Sequence, residues 1–216
     1  MYVPAHFEET RPEVLRRLIH DHPLAALVTL GFDGLNANHI PMELDADPAP
    51  LGTLRGHVAR ANPVWRDFSP GVDALAIFQG PQAYVSPAWY QTKQETGKVV
   101  PTYNYAVVHA GGPMRIIEDR AWLRAFVERL TNRHEAGRPQ PWKVTDAPAD
   151  FIEHMLGAII GIEIPLTKLA GKWKVSQNRP ATDLDGVVRG LNEESGGRAM
   201  ADLVKEAAGA AKPHKD

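Results

Sequence analysis

The chain has 216 residues, 44% of them hydrophobic, enough to bury one substantial core. Its 24 Lys and Arg against 26 Asp and Glu leave a formal net charge of −2, so no global basic field favours nucleic acid. There is no cysteine, which excludes disulfides, thiolate metal ligands and thiol nucleophiles. No apolar run reaches the about 18 residues of a membrane-spanning helix. The start, Met1-Tyr-Val-Pro-Ala-His-Phe, lacks the basic-then-apolar layout of an export signal, which makes the cytoplasm the expected location.

In chain order, Thr10–His20 reads as a helix, with Thr10 as N-cap, Pro12 early and Glu13 in the first turn. Leu24–Leu30 is a continuous apolar run, expected as a strand buried on both faces. A turn at Gly31-Phe-Asp-Gly34 returns the chain as a strand over Leu35–Leu44. A loop over Asp45–Gly52, with Pro48 and Pro50, precedes a strand at Thr53–Ala59. Asn62–Phe68 reads as a short helix capped by Asn62 with Pro63 in its first turn. Long strands are expected over Asp73–Val85 and Thr102–Glu118, the second broken near Gly111-Gly-Pro113. Helices at Ala121–His134 and Ala149–Gly157 follow, then strands at Gly161–Ile164 and Lys172–Ser176. Two helical stretches, about Ala181–Asn192 and Ala199–Ala208, end in a tail carrying Lys212 and Lys215 that reads as disordered. Hairpin-linked strands with few helices imply an α+β fold dominated by an antiparallel barrel-like sheet. The expected domain spans 1–192, with 193–216 as an appended helix and tail.

Three segments are too polar and aromatic for plain connections. Phe78–Tyr90 and Val100–His109 gather Ser86, Trp89, Tyr90, Thr102, Tyr103 and Asn104 around Lys93. Such a set can stack a flat ring, bond its edges and neutralise an anion. Leu54–Pro63 places Arg55 and His57 on one strand face and Arg60 and Asn62 at a strand–helix junction. There a helix N-terminus and a guanidinium fork would favour phosphate; a surface arginine, a buried hydrogen-bonded histidine and an ordinary N-cap explain the same residues. Gly171–Pro180 ends a strand in Ser176, Gln177, Asn178 and Arg179 just before a helix start, which capping alone also explains.

Together, Asn36–Pro41, Gly56–Pro63, Phe78–Tyr90, Val100–Tyr105 and Lys172–Arg179 resemble the PaiB-type FMN-binding negative transcriptional regulators over roughly residues 1–190. The resemblance implies an FMN-binding split barrel with peripheral helices, related to pyridoxamine-phosphate oxidases, whose homodimer holds FMN at the subunit interface. It implies that Asn38 and His39 stand beside the flavin and that His57, Arg60 and Asn62 hold phosphate and ribityl chain. Lys93, Thr102, Tyr103 and Asn104 would line the groove, and Ser176, Gln177 and Arg179 would complete it. Tyr103 stands where Trp is commoner, and Ala110-Gly-Gly112 where a bulkier residue is usual. His6, His20, His22, His134 and His154 read as surface or helix-face residues, and Trp65, Trp122 and Trp142 as core.

The family label is transcriptional repression, yet the chain has no helix-turn-helix signature and no basic stripe, which argues against direct DNA binding. A flavin- or redox-responsive regulator is the leading reading. A flavin-dependent oxidoreductase on a small molecule is the alternative. Haem binding ranks last, because none of the nine histidines stands in an axial-ligand motif. No metal site and no catalytic constellation can be read.

Overall fold

Antiparallel pairing organises the chain, which the computed structural model describes over residues 1–47 and 50–210. Pro48 and the expected tail at Lys212 and Lys215 lie outside the described residues. Strand β1 (Glu8–Glu9) precedes helix α1 (Pro12–Asp21); strands β2 (Leu24–Gly31), β3 (Gly34–Asp45), β4 (Thr53–Ala59) and β5 (Ala74–Val85) follow. After the one-turn helix α2 (Thr92–Thr96) come β6 (Thr102–Gly112), β7 (Arg115–Ile117), α3 (Arg120–Glu135) and α4 (Ala149–Gly157). Strands β8 (Ile159–Pro165) and β9 (Lys168–Lys174) lead to α5 (Ala181–Glu193) and α6 (Arg198–Ala210). Every pairing whose register is described is antiparallel. The strand order β1-β9-β6-β5-β2-β3-β4-β8-β7 has two ends, so the ladder does not close on itself. The α+β, antiparallel character expected from the sequence is what the structure has. No helix among the described residues is long and apolar enough to cross a membrane.

The chain packs as two compact units, each built from separate segments. The second unit comprises Ile19–Phe78 and His109–Leu169. Its hairpin β2–β3 turns at Phe32-Asp33 and closes with Gly34 at φ 116°, where a side chain would be strained. Alternate residues Ala25 and Leu27 are buried, as are Ile40, Met42, Leu54, Val58 and Ile160, Ile162 and Ile164 on the strands beyond. Each large aliphatic so buried contributes roughly 1.5–3 kcal/mol. Strand β2 departs from expectation: it is buried on one face only, with Leu24 and Leu30 exposed. A parallel strand covered by helices on both sides would bury the whole run; an antiparallel strand has one covered face. Gly112 meets the chain at Pro165, whose carbonyl stands where a Cβ would go. That close approach accounts for a glycine where a bulkier residue is usual.

The first unit comprises Met1–Leu18, Gln79–Val108 and the chain from Ala170. Helices α5 and α6 share a core with the strands: Val85, Tyr90, Val175, Val187, Leu191, Met200 and Val204 are buried together. Trp89 lies against α5, its ring where a Cβ on Gly190 would stand and its carbonyl where one on Gly186 would stand. The short helix expected over Asn62–Phe68 is a three-residue 3-10 turn, Pro63–Trp65, whose Val64 N–H is capped by Asn62 at 3.0 Å. Trp142, expected in the core, is 45% exposed, in the Pro-rich connection after α3.

Candidate functional site

In the second unit the expected residues divide over two faces of β3. Side chains alternate along a strand, so Asn38 and His39 point to opposite sides. Asn38 is half-buried, donates to Asn36 Oδ1 at 3.0 Å and accepts from Asn62 Nδ2 at 2.7 Å. His39 is exposed on the other face. The structure thus brings Asn38 and Asn62 together and holds His39 apart from them.

His57 and Arg60 are tied to the protein itself. His57 pairs across the sheet with Gly161, and its ring stands edge-on to Phe126, 5.8 Å between centroids. Burial lowers its proton affinity below that of an ordinary histidine, and its Nδ1 has no partner among the described residues. Arg60 donates to the Gly157 carbonyl at 2.9 Å and to Glu118 Oε2 at 2.9 Å. Two of its donors and much of its charge are thereby taken. The helix dipole on which an anion site was expected here is absent, because a single 3-10 turn sums almost no peptide dipole.

The first unit holds the remaining residues, and most of them converge. Asn104, fully buried, donates through Nδ2 to Ser176 Oγ at 2.9 Å and accepts from it through Oδ1 at 3.1 Å. Ser176 holds φ at 65°, the one non-glycine residue in the left-handed region among those described. Such strain persists only where surroundings enforce it, and it marks functional turns. Arg179 N–H closes that turn on the Ser176 carbonyl at 2.9 Å, and α5 begins just past Pro180. Gln177 spends its amide on the turn backbone, accepting from Val175 N and donating to the Trp173 carbonyl. Thr102 accepts from Lys174 Nζ. Lys93 lies exposed on α2, whose Thr92 donates its N–H and hydroxyl to the buried Asp183 carboxylate at 3.0 and 2.8 Å.

The aromatic segment does something other than offer Trp89 and Tyr90 as an open platform. Trp89 is clamped on α5, and Tyr90 is 2% exposed beneath the Arg179 guanidinium, 4.7 Å from its ring centre. The accessible rings are Tyr84 and Tyr103, edge to face at 6.0 Å. Lys174 was not picked out from sequence as a site residue, although it stands two residues before Ser176. Its ammonium reaches the Tyr103 carbonyl at 2.6 Å as well as Thr102. The polar edges, open tyrosines and excess cations of this unit suit a phosphorylated heteroaromatic ligand.

Comparison with known proteins identifies the lineage. Residues 1–168 match the family model described as "Putative FMN-binding domain". The chain belongs to this FMN-binding family. The PaiB-type resemblance of the sequence motifs is thereby borne out, and FMN is the cofactor of the family. An uncharacterized protein of Emericella nidulans is 35% identical over 243 residues, covering 95% of this chain and 97% of that protein. The protein named "Protease synthase and sporulation protein PAI 2" of Bacillus subtilis is 30% identical over 208 residues, covering 95% and 97%. Among solved structures, the flavocytochrome Anf3 of Azotobacter vinelandii superposes with TM-score 0.58 at 14% identity, over 80% of this chain and 72% of that one. A FAD- and haem-binding protein of Mycobacterium smegmatis gives 0.54 at 16%, over 77% and 73%. At those identities the likeness shows the fold.

Proposed function

We propose that the chain works as an FMN-loaded split-barrel homodimer that couples the presence or redox state of its flavin to a regulatory output in the cytoplasm. The observation that carries this reading is the outward face of the β2–β3 hairpin. Leu24, Leu30 and Leu35 are exposed there, and Phe32 at its tip is 96% exposed. Cross-strand partners Val28 and Ala37, and Ala26 and His39, extend the same face. An apolar face of this kind calls for a cover, and an isologous contact with a second copy supplies a matching one. His39 lies within that face, which supports a flavin at the subunit boundary.

FMN, when bound, supplies one- and two-electron chemistry; the protein binds and orients it. Asn38, His39, His57, Arg60 and Asn62 in the second unit are one set of candidate contacts, and Lys93, Thr102, Tyr103, Asn104, Ser176, Gln177 and Arg179 in the first unit are a separate set. The Bacillus subtilis relative's name, with its reference to sporulation, supports a control role over a purely metabolic one. Scattered basic residues support control through a partner, with weak and unspecific DNA binding. A flavin-dependent oxidoreductase acting on a small molecule is the second reading, favoured by the open tyrosine pair Tyr84 and Tyr103.

Purified protein reconstituted with FMN should sediment as a dimer and release FMN on denaturation. A stable flavin-loaded monomer would remove the dimer, and failure to take up micromolar FMN would remove the flavin. Turnover of NADPH with an added acceptor, without any promoter-dependent output in cells, would transfer the assignment to the oxidoreductase.

A further inference from the structure

Among the first-unit cations without an acidic partner in the described residues are Lys172, Lys174 and Arg179. Lys172 and Lys174 stand two apart on β9 and project from one face of it. Lys172 is 9% exposed, so it is not a solvated surface charge. Its ammonium donates to the Tyr2 carbonyl at 3.1 Å and lies 5.7 and 5.4 Å from the Tyr2 and Tyr105 ring centres. Glu8, opposite it across β1, stays exposed and makes no ion pair with it. Lys174 meets only a hydroxyl and a carbonyl. Arg179 caps the Tyr90 ring. Carbonyls, hydroxyls and rings orient a cation but do not cancel it, and buried charges are ordinarily paired.

The cost is visible on Lys174. Its proton affinity is pulled below that of an ordinary lysine, first by burial and then by repulsion from Lys172 and Arg179. The Tyr90 ring lies buried beneath the Arg179 guanidinium, with the Asp183 carboxylate near its hydroxyl. Each ammonium also keeps at least one N–H uncommitted, since Lys172 uses one and Lys174 two.

We propose that Lys172, Lys174 and Arg179 form a binding site for a phosphate-type oxyanion. The flavin's own phosphate is one source of that anion, and this source rests on the FMN reading above. A separate phosphorylated small molecule is the other source and does not depend on it.

The test compares wild type with Lys174→Gln and Arg179→Gln, each checked for folding by thermal melting. FMN and riboflavin are titrated by flavin fluorescence, and inorganic phosphate by calorimetry on apo and FMN-loaded protein. Losing one charge-assisted contact should weaken the anion about ten- to a hundredfold. If wild type prefers FMN to riboflavin, and both variants lose the preference while keeping riboflavin affinity, the flavin phosphate occupies the site. If the preference survives, but FMN-loaded wild type binds phosphate about tenfold or more tighter than the variants, a second ligand occupies it. Variants that bind FMN, riboflavin and phosphate as wild type does overturn the proposal. Wild type that takes neither flavin removes the FMN reading alone, and the phosphate titration of apo protein then decides the site.

Discussion

Two sets of cations, one in each unit, are held in opposite ways. In the second, Arg55 joins Asp45 at 2.5 Å and Glu163 at 2.9 Å, and Arg129 and Arg133 close on the buried Glu43 at 3.1 and 3.6 Å. Arg60 meets Glu118, and Arg124 meets Glu153. In the first unit, Lys172, Lys174 and Arg179 meet only neutral acceptors and aromatic rings. A charge matched by a buried carboxylate, as at Glu43 and Glu163, is part of the scaffold, and removing it leaves a partner stranded. A charge kept unmatched in a half-buried position costs stability and is retained for what it can hold. The same residue types therefore carry different meanings, which only their neighbours reveal.

Arg55→Met should break the paired side of this contrast most strongly. Glu163, largely buried, would keep only the Trp122 indole N–H as partner. A loss of about 3 kcal/mol in urea unfolding is expected for one half of a mostly buried pair; a loss under about 1 kcal/mol would make the network ornamental. Ser176→Ala should cost about 2 kcal/mol, because it strands the buried Asn104 amide and leaves the left-handed backbone in place. Ser176→Gly should recover about 1 kcal/mol of that by relieving the backbone. Equal losses in the two variants would mean that the turn is not strained.

Lys174→Gln should leave stability within about 1 kcal/mol of wild type, or raise it, since it removes an unmatched charge. A loss above about 2 kcal/mol would class it with Arg55. The smallest effect concerns His57. Burial holds its folded pKa below the ordinary 6.5, so the unfolded chain binds the proton more readily. Its contribution is present above pH 6.5 and is lost as pH falls through the folded value. His57→Phe should flatten the fall in urea midpoint between about pH 7 and pH 5; an unchanged slope would place the acid sensitivity elsewhere.

Strand and helix positions were legible because alternation and capping are local. β4 appears over the residues expected, and α3, α4 and α5 fall within a residue or two. What went unread depended on distant partners. The apolar run at Leu24 reads the same whether one face or two are covered, and only its pairing with β3 and β5 decides. The pairing of Arg60 with Glu118, far along the chain, was likewise not readable. Lys174 resembles a surface lysine until its neighbours are counted and no carboxylate is among them. Asn104 and Ser176 were both marked by their polar character within strand-like segments, but their mutual bond, 72 residues apart, was not readable.

The seat of Trp89 turns α5 into an optical signal. Its indole rests directly on Gly190, and its carbonyl on Gly186, with no side chain in between to absorb a shift. The same helix begins immediately after Arg179 and Pro180, so it continues directly from that turn. With the other four of the five tryptophans replaced by phenylalanine, the emission wavelength of Trp89 would follow the seating of α5 in real time. The protein thus carries its own fluorophore for watching the turn at Ser176–Arg179 respond to whatever reaches it.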